Sequence, residues 1–138
     1  MGFLLAKAMQ RWNELLDERF TDRGFGDIRP SYGSVLLPLF EEDGLRMGEL
    51  ARRARLSKQA MTEMVPRLER VGLVERRRDP SDGRASLIFL TSRSRTFETV
   101  AVSVLGELDG LVRRRLEPER VEELKAALRE LAALDESL

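Results

Sequence analysis

The chain contains no cysteine and no histidine. The first absence excludes a disulfide scaffold, a thiol nucleophile, a cysteine redox switch and a thiolate zinc site. The second removes imidazole acid/base catalysis and the usual histidine metal ligands. Carboxylate, lysine, serine, threonine or tyrosine chemistry remains, and no convergent set of such residues stands out. No apolar run approaches the ~20 residues that a membrane span requires. The opening Met1-Gly2-Phe3-Leu4-Leu5-Ala6-Lys7 has no basic stretch ahead of its apolar residues, so it does not read as a signal peptide. A soluble cytoplasmic protein without enzymatic activity, cofactor or metal is the expectation.

What is present suits one folded domain. The 138 residues are 42% apolar and 35% charged, which is enough for a core and too apolar for disorder. Lysine and arginine balance aspartate and glutamate at 24 each, but not locally. Residues 1–45 carry a net −3, residues 46–95 a net +7 and residues 96–138 a net −4. A basic middle between acidic flanks points to a polyanion-binding segment on a scaffold of different character. Cations that merely solvate helix surfaces would produce the same tally.

Periodicity orders the chain. Leu5, Ala8, Met9, Trp12, Leu15, Leu16 and Phe20 recur every three or four residues, predicting an amphipathic helix from about Leu4 to Arg23. Gly24 and Gly26 break it. Ser31 is a candidate cap for a second helix over residues 32–42, with Val35, Leu36, Leu39 and Phe40 inward and Pro38 as a disturbance. Met47, Leu50, Ala51 and Ala54 predict a short third helix. After Arg55-Leu56, Ser57 is a strong N-cap for a fourth, whose apolar face is Met61, Met64, Val65 and Leu68 and whose end is marked by Gly72. Two short helices this close make a helix-turn-helix. The flanks 73–78 and 85–90 then read as strands around the turn-rich, exposed tip 79–84. Thr91 can cap a long helix over about 92–116, with Ala101, Val104, Leu105, Leu108, Leu111 and Val112 as its stripe. Pro118 opens a last helix with Val121, Leu124, Ala127, Leu128, Leu131 and Leu134 on its apolar face.

Three pieces of this pattern are specific at their spacing: Leu56-Ser57-Lys58-Gln59-Ala60, Gly72-Leu73-Val74, and Asp79-Pro80-Ser81-Asp82-Gly83-Arg84 leading to Leu90-Thr91. Together they closely resemble the winged helix-turn-helix of the MarR family, the multiple-antibiotic-resistance type of bacterial transcriptional regulator. The helical flanks follow the same order, so the resemblance covers essentially the whole chain. It implies a mainly α (α+β) fold: a single domain over 1–138, with a winged lobe at 31–91. Within that lobe the helix-turn-helix spans 47–71 and a two-stranded wing spans 73–90. Helical dimerisation regions would occupy 1–24 and 92–138. The implied function is a sequence-specific, ligand-responsive regulator, a repressor by preference, acting as a homodimer on a pseudo-palindromic operator in double-stranded DNA. Arg55 departs from the family pattern where a turn glycine is common, Pro66 lies inside the recognition helix, Glu63 often has a basic counterpart, and Ser94 replaces a frequent glycine.

Because the apolar side of the fourth helix is committed to the core, its other side presents Lys58, Gln59, Thr62, Glu63 and Arg67 to base edges in a major groove. Ser57 and the helix N-terminus can meet a phosphate. Arg76 and Arg78 alternate with Arg77 along the first wing strand and are candidates for phosphates. The resemblance further implies that Arg84 enters a minor groove while Asp82 orients its guanidinium. It also implies a pocket for a small aromatic or lipophilic effector between the dimer helices and the lobe. Trp12, Phe20, Tyr32, Leu36 and Phe40 could line it and Arg11 could hold an anion, although core or interface packing explains each of them as well. The alternative is a winged-helix module that binds protein and no DNA, which would need neither the +7 segment nor a basic wing.

Overall fold

The computed structural model describes residues 1–136. In chain order it contains α1 (Gly2–Asp22), a 3₁₀ turn (Pro30–Tyr32), α2 (Gly33–Glu41), β1 (Leu45–Arg46), α3 (Met47–Ala54), α4 (Lys58–Arg70), β2 (Val74–Asp79), β3 (Asp82–Leu90), α5 (Ser92–Arg115) and α6 (Pro118–Ala132). Helices dominate, and the three strands form one antiparallel sheet in the order β1-β3-β2. This is the winged helix-turn-helix class that the sequence predicts. The chain forms two compact units, Met1–Val102 and the segment from Ser103 onward.

In the first unit, Val35, Leu36 and Leu39 of α2, Leu50 and Ala51 of α3, and Met61, Val65 and Leu68 of α4 are buried. They are residues that helical spacing places on one side. Met64, expected beside them, is only half-buried. Local chemistry sets the helix boundaries. Arg55 takes the left-handed conformation at φ 55° and ψ 39° between α3 and α4, so the HTH turn is closed by a non-glycine residue. Ser57 Oγ then accepts the Ala60 N–H at 3.0 Å, capping α4 as expected. At the other end Gly72, at φ 73°, donates to the Glu69 carbonyl at 3.0 Å while Leu73 donates to Leu68 at 2.9 Å. That pairing satisfies carbonyls which the helix end would leave free.

Three expectations need correction. Ser31 does not cap α2: it lies within the 3₁₀ turn, and the cap position is Tyr32, which makes no side-chain capping bond. The sheet has three strands, because Leu45 pairs with Ile88 and Arg46 with Leu87. A two-residue strand has no periodicity of its own, so only its partner reveals it. The tip is shorter than predicted and only partly exposed. Asp79 pairs with Asp82, leaving Pro80 and Ser81 as the turn, and a register irregularity between Arg78 and Asp79 accompanies the burial of Asp79.

The junction into α5 is densely bonded. Thr91 Oγ1 donates to the Gly72 carbonyl at 2.5 Å, and the Thr91 N–H reaches Ser94 Oγ at 2.9 Å. Ser94 Oγ donates back to the Thr91 carbonyl at 2.9 Å, so this fully buried serine is satisfied. Arg93 clasps Asp27 through two bonds of 2.7 and 3.0 Å and donates to the Val71 carbonyl. The Phe97 ring packs against Phe20 and Phe25 at centroid distances of 4.9 and 5.3 Å.

The terminal helices bury little of their apolar stripes. In α1 only Leu16 and Phe20 are buried, and Met1, Phe3, Leu4, Leu5 and Met9 are exposed. In the second unit Val104, Leu108 and Val121 are buried, whereas Leu105, Leu124, Leu128 and Leu131 are exposed. Leu134, expected on the last helix, is exposed and lies past its end at Ala132.

Candidate nucleic-acid interface

On α4 the side chains of Lys58, Gln59, Thr62, Glu63 and Arg67 are exposed together, opposite the buried Met61, Val65 and Leu68. Their chemistry differs. Lys58, Gln59, Glu63 and Arg67 have no ion pair or side-chain hydrogen bond among the described residues, so their donors and acceptors face water. Thr62 donates its hydroxyl to the Lys58 carbonyl at 2.8 Å, leaving its oxygen lone pairs and methyl group outward. Ser57 is exposed beside them with its oxygen engaged in the cap. Pro66 has no N–H to return to the Thr62 carbonyl, yet α4 continues through it to Arg70.

The wing sorts its arginines by neighbour. The register pairs Arg76 with Ile88 and Arg78 with Ser86, placing both on one face, while Arg77 shares the other face with Phe89. Arg76 is held by Glu69 of α4 at 3.1 Å. Arg77 pairs with Glu75 and lies 4.2 Å above the Phe89 ring. Arg78 and Arg84 are exposed and make no ion pair among the described residues. Among the described residues the Asp82 carboxylate makes no ion pair with the Arg84 guanidinium. That carboxylate accepts the Arg84 main-chain N–H at 3.1 Å and so fixes the strand from which Arg84 projects.

Helix and wing meet at a groove of about 480 Å³ lined by Arg46, Met47, Gly48, Glu49, Thr62, Arg76, Arg84, Ala85 and Ser86. Two of its neighbourhood's determinants escaped the sequence reading. Arg46 forms an ion pair with the buried Asp79 at 2.6 Å, and hydrogen bonds from the Ser81 N–H and hydroxyl, then from Arg46, hold the Asp79 carboxyl below its usual range. Glu49 at the start of α3 accepts from Arg52 and Arg53, and those bonds lower its pKa to about 2. The Asp-Pro-Ser-Asp run was the one available signal for the first, since aspartate readily bonds the backbone two residues on.

The effector candidates are dispersed in burial. Phe20 and Leu36 are core residues at 5% and 1% exposure. Trp12, Tyr32 and Phe40 are half-buried. Arg11 is exposed and bonded to Glu14 at 3.0 Å. A groove of about 500 Å³ beside α1 is lined by Gln10, Asn13, Glu14, Asp17, Arg29, Pro30 and Ser31, and none of the proposed apolar residues contributes to it. No helix among the described residues is long and apolar enough to cross a membrane.

A helix-turn-helix whose second helix bares a polar face, joined to a basic hairpin, defines a winged-helix protein of the DNA-binding kind. Comparison with known proteins gives the family. The family model described as the MarR family matches residues 29–86. A transcriptional repressor of Mycobacterium bovis is 35% identical over 119 residues, covering 77% of this chain and 86% of that protein. An organic hydroperoxide resistance transcriptional regulator of Bacillus subtilis is 32% identical over 99 residues, covering 72% of this chain and 65% of its own length. The solved structure of the transcriptional repressor CouR bound to a 23-mer DNA duplex superposes with a TM-score of 0.81 at 25% identity, covering 96% of this chain and 92% of that one. The chain belongs to the MarR family.

Proposed function

We propose that this protein is a sequence-specific, double-stranded DNA-binding transcriptional regulator, a repressor acting in the cytoplasm as a homodimer on a pseudo-palindromic operator. The observation that carries the reading is the pairing of two exposed surfaces on one lobe: the Lys58, Gln59, Thr62, Glu63 and Arg67 face of α4, and Arg78 with Arg84 on the wing. The likeness to a repressor solved on a DNA duplex supports it. In this reading α4 lies in a major groove, where Gln59 pairs with adenine, Glu63 accepts from cytosine, and Lys58 or Arg67 donates to guanine. Ser57 and Arg78 meet phosphates, and Arg76, held by Glu69, stands behind them. Arg84 enters a minor groove, whose narrowness over A·T sequence concentrates negative potential.

The exposed leucines of α6 and the exposed apolar start of α1 support dimerisation, because surfaces of that character mark association sites. Two recognition helices would then read half-sites about 10 bp apart. Sedimentation at micromolar concentration checks this: a dimer is expected, and a monomer refutes it. A small aromatic or lipophilic effector completes the reading, bound where the half-buried Trp12, Tyr32 and Phe40 leave ring surface accessible. Trp12 emission reports it, and indifference to a broad ligand panel refutes it.

The DNA reading is tested by two substitutions on duplexes selected from a random pool. Arg84→Ala weakens binding most where the flanks are A·T-rich and lowers the salt slope by about one. Gln59→Ala loses about 1–3 kcal/mol of discrimination at one base pair and leaves the slope almost unchanged. Identical behaviour of the two variants, or no duplex recovered by the wild type, overturns the assignment.

A further inference from the structure

We infer that Asp79 is a positioning residue of the wing: by joining the Pro80-Ser81 turn to Arg46, it sets where Arg84 stands relative to the recognition helix. This deepens the DNA reading above and rests on it.

Asp79 is the one acidic residue that is buried among the described residues, at 6% exposure. A buried carboxylate is costly unless its oxygens are filled, and here each oxygen has a separate task. Oδ1 accepts the Ser81 N–H at 2.9 Å and the Ser81 hydroxyl at 2.8 Å, which shapes the two-residue turn from within. Oδ2 takes the Arg46 guanidinium at 2.6 Å. Arg46 is the last residue of β1 and the cap position of α3, so the ion pair runs from the wing turn to the start of the helix-turn-helix.

The consequence falls on Arg84. Asp82 pairs with Asp79 across the turn and holds the Arg84 N–H at 3.1 Å. Arg46 and Arg84 in turn line one groove with Thr62 of α4. A hairpin anchored only through its strand ladder can twist and splay, whereas one tied at its tip to the start of α3 presents Arg84 at a set span from α4. A regulator that inserts α4 and Arg84 into neighbouring grooves needs that span held before DNA arrives, because ordering it on binding would weaken the complex.

The test uses the full-length protein with Asp79→Asn, which keeps size and loses charge. Arg46→Met is the second variant, breaking the same link without touching the turn. Without DNA, amide exchange at Ser81 and Arg84 is expected to rise about tenfold or more in both variants, while α4 amides stay protected. Unchanged exchange at Arg84 overturns the proposal. With DNA, each variant is expected to lose about tenfold in affinity on A·T-flanked operators and less than about twofold on G·C-flanked ones, with discrimination at the Gln59 position retained. A merely structural role would weaken both operators alike. In the double variant Asp79→Asn with Arg84→Ala, binding should equal that of Arg84→Ala alone, and additive losses overturn the proposal. Should the wild type bind no duplex while the exchange result holds, the DNA reading falls and the positioning of Arg84 by Asp79 stands.

Discussion

Gly44→Ala tests how the wing is seated, through a position whose two constraints can be separated. Gly44 has φ 71°, and a Cβ built there would lie 2.7 Å from Phe89 Cε1 and 2.9 Å from Cζ. The left-handed backbone costs an alanine roughly 1–2 kcal/mol. The overlap with the ring adds about 1–3 kcal/mol of overpacking, since Phe89 must move from beneath the Arg77 guanidinium 4.2 Å away. Stiffening of the unfolded chain returns about 0.4–1 kcal/mol. A net loss of about 2–3 kcal/mol is expected. The assay is urea unfolding followed by circular dichroism at fixed protomer concentration, because association would otherwise shift the midpoint. Gly44→Ala combined with Phe89→Leu separates the parts: the smaller side chain relieves the overlap, so the two losses should fall short of additive by about 1 kcal/mol or more. A single-variant loss below about 0.5 kcal/mol, or strict additivity, would show that the ring does not cover Gly44 and that the reasoning is wrong.

Ser94→Ala should cost about 1–2 kcal/mol, because it strips a fully buried partner from the Thr91 N–H and carbonyl; urea unfolding that matches the wild type would contradict this. Pro66→Ala should stabilise by about 1–2 kcal/mol by restoring a donor to the Thr62 carbonyl, and the same titration would reject it if the midpoint falls. Acid should weaken the protein through carboxylates whose folded pKa is depressed. Glu49 moves from 4.5 to about 2, chiefly through Arg52 and then Arg53, so its contribution is complete above 4.5 and is lost as pH falls toward 2. Asp79 and Asp27 shift the same way, held by Ser81 and Arg93 respectively. The gap in urea midpoint between wild type and Glu49→Gln should therefore close between pH 4.5 and 2, and a constant gap would count against the pairing.

Much of the lobe was written in short windows of sequence. The spacing of Met61, Val65 and Leu68 committed one side of α4 to the core and thereby exposed Lys58, Gln59, Glu63 and Arg67. Ser57 and Gly72 marked the helix boundaries because caps bond atoms two to five residues away. The strained Arg55 was legible for the same reason: the turn demands a left-handed residue whatever occupies it. Ser31 misled because Pro30 starts a 3₁₀ turn that moves the helix start past it.

Tertiary structure alone decided which groups were free to act. Arg76, Arg77 and Arg78 are indistinguishable in sequence, yet Glu69 holds the first and Glu75 with Phe89 the second, which leaves Arg78 to solvent. Phe20 and Leu36 could be read from sequence as pocket or as core, and both are buried in the fold, Phe20 against the Phe97 ring. β1 exists only because β3 runs beside it, and the buried Asp79 has its charge met by Arg46 as well as by Ser81 in its own turn. Side-chain period and capping depend on neighbours a turn away, so the sequence determined the elements, their inward faces and the basic character of the lobe. Burial and ion pairing depend on partners brought from 33 residues away for Asp79 and Arg46, or 66 for Arg93 and Asp27, and only the folded chain supplies those.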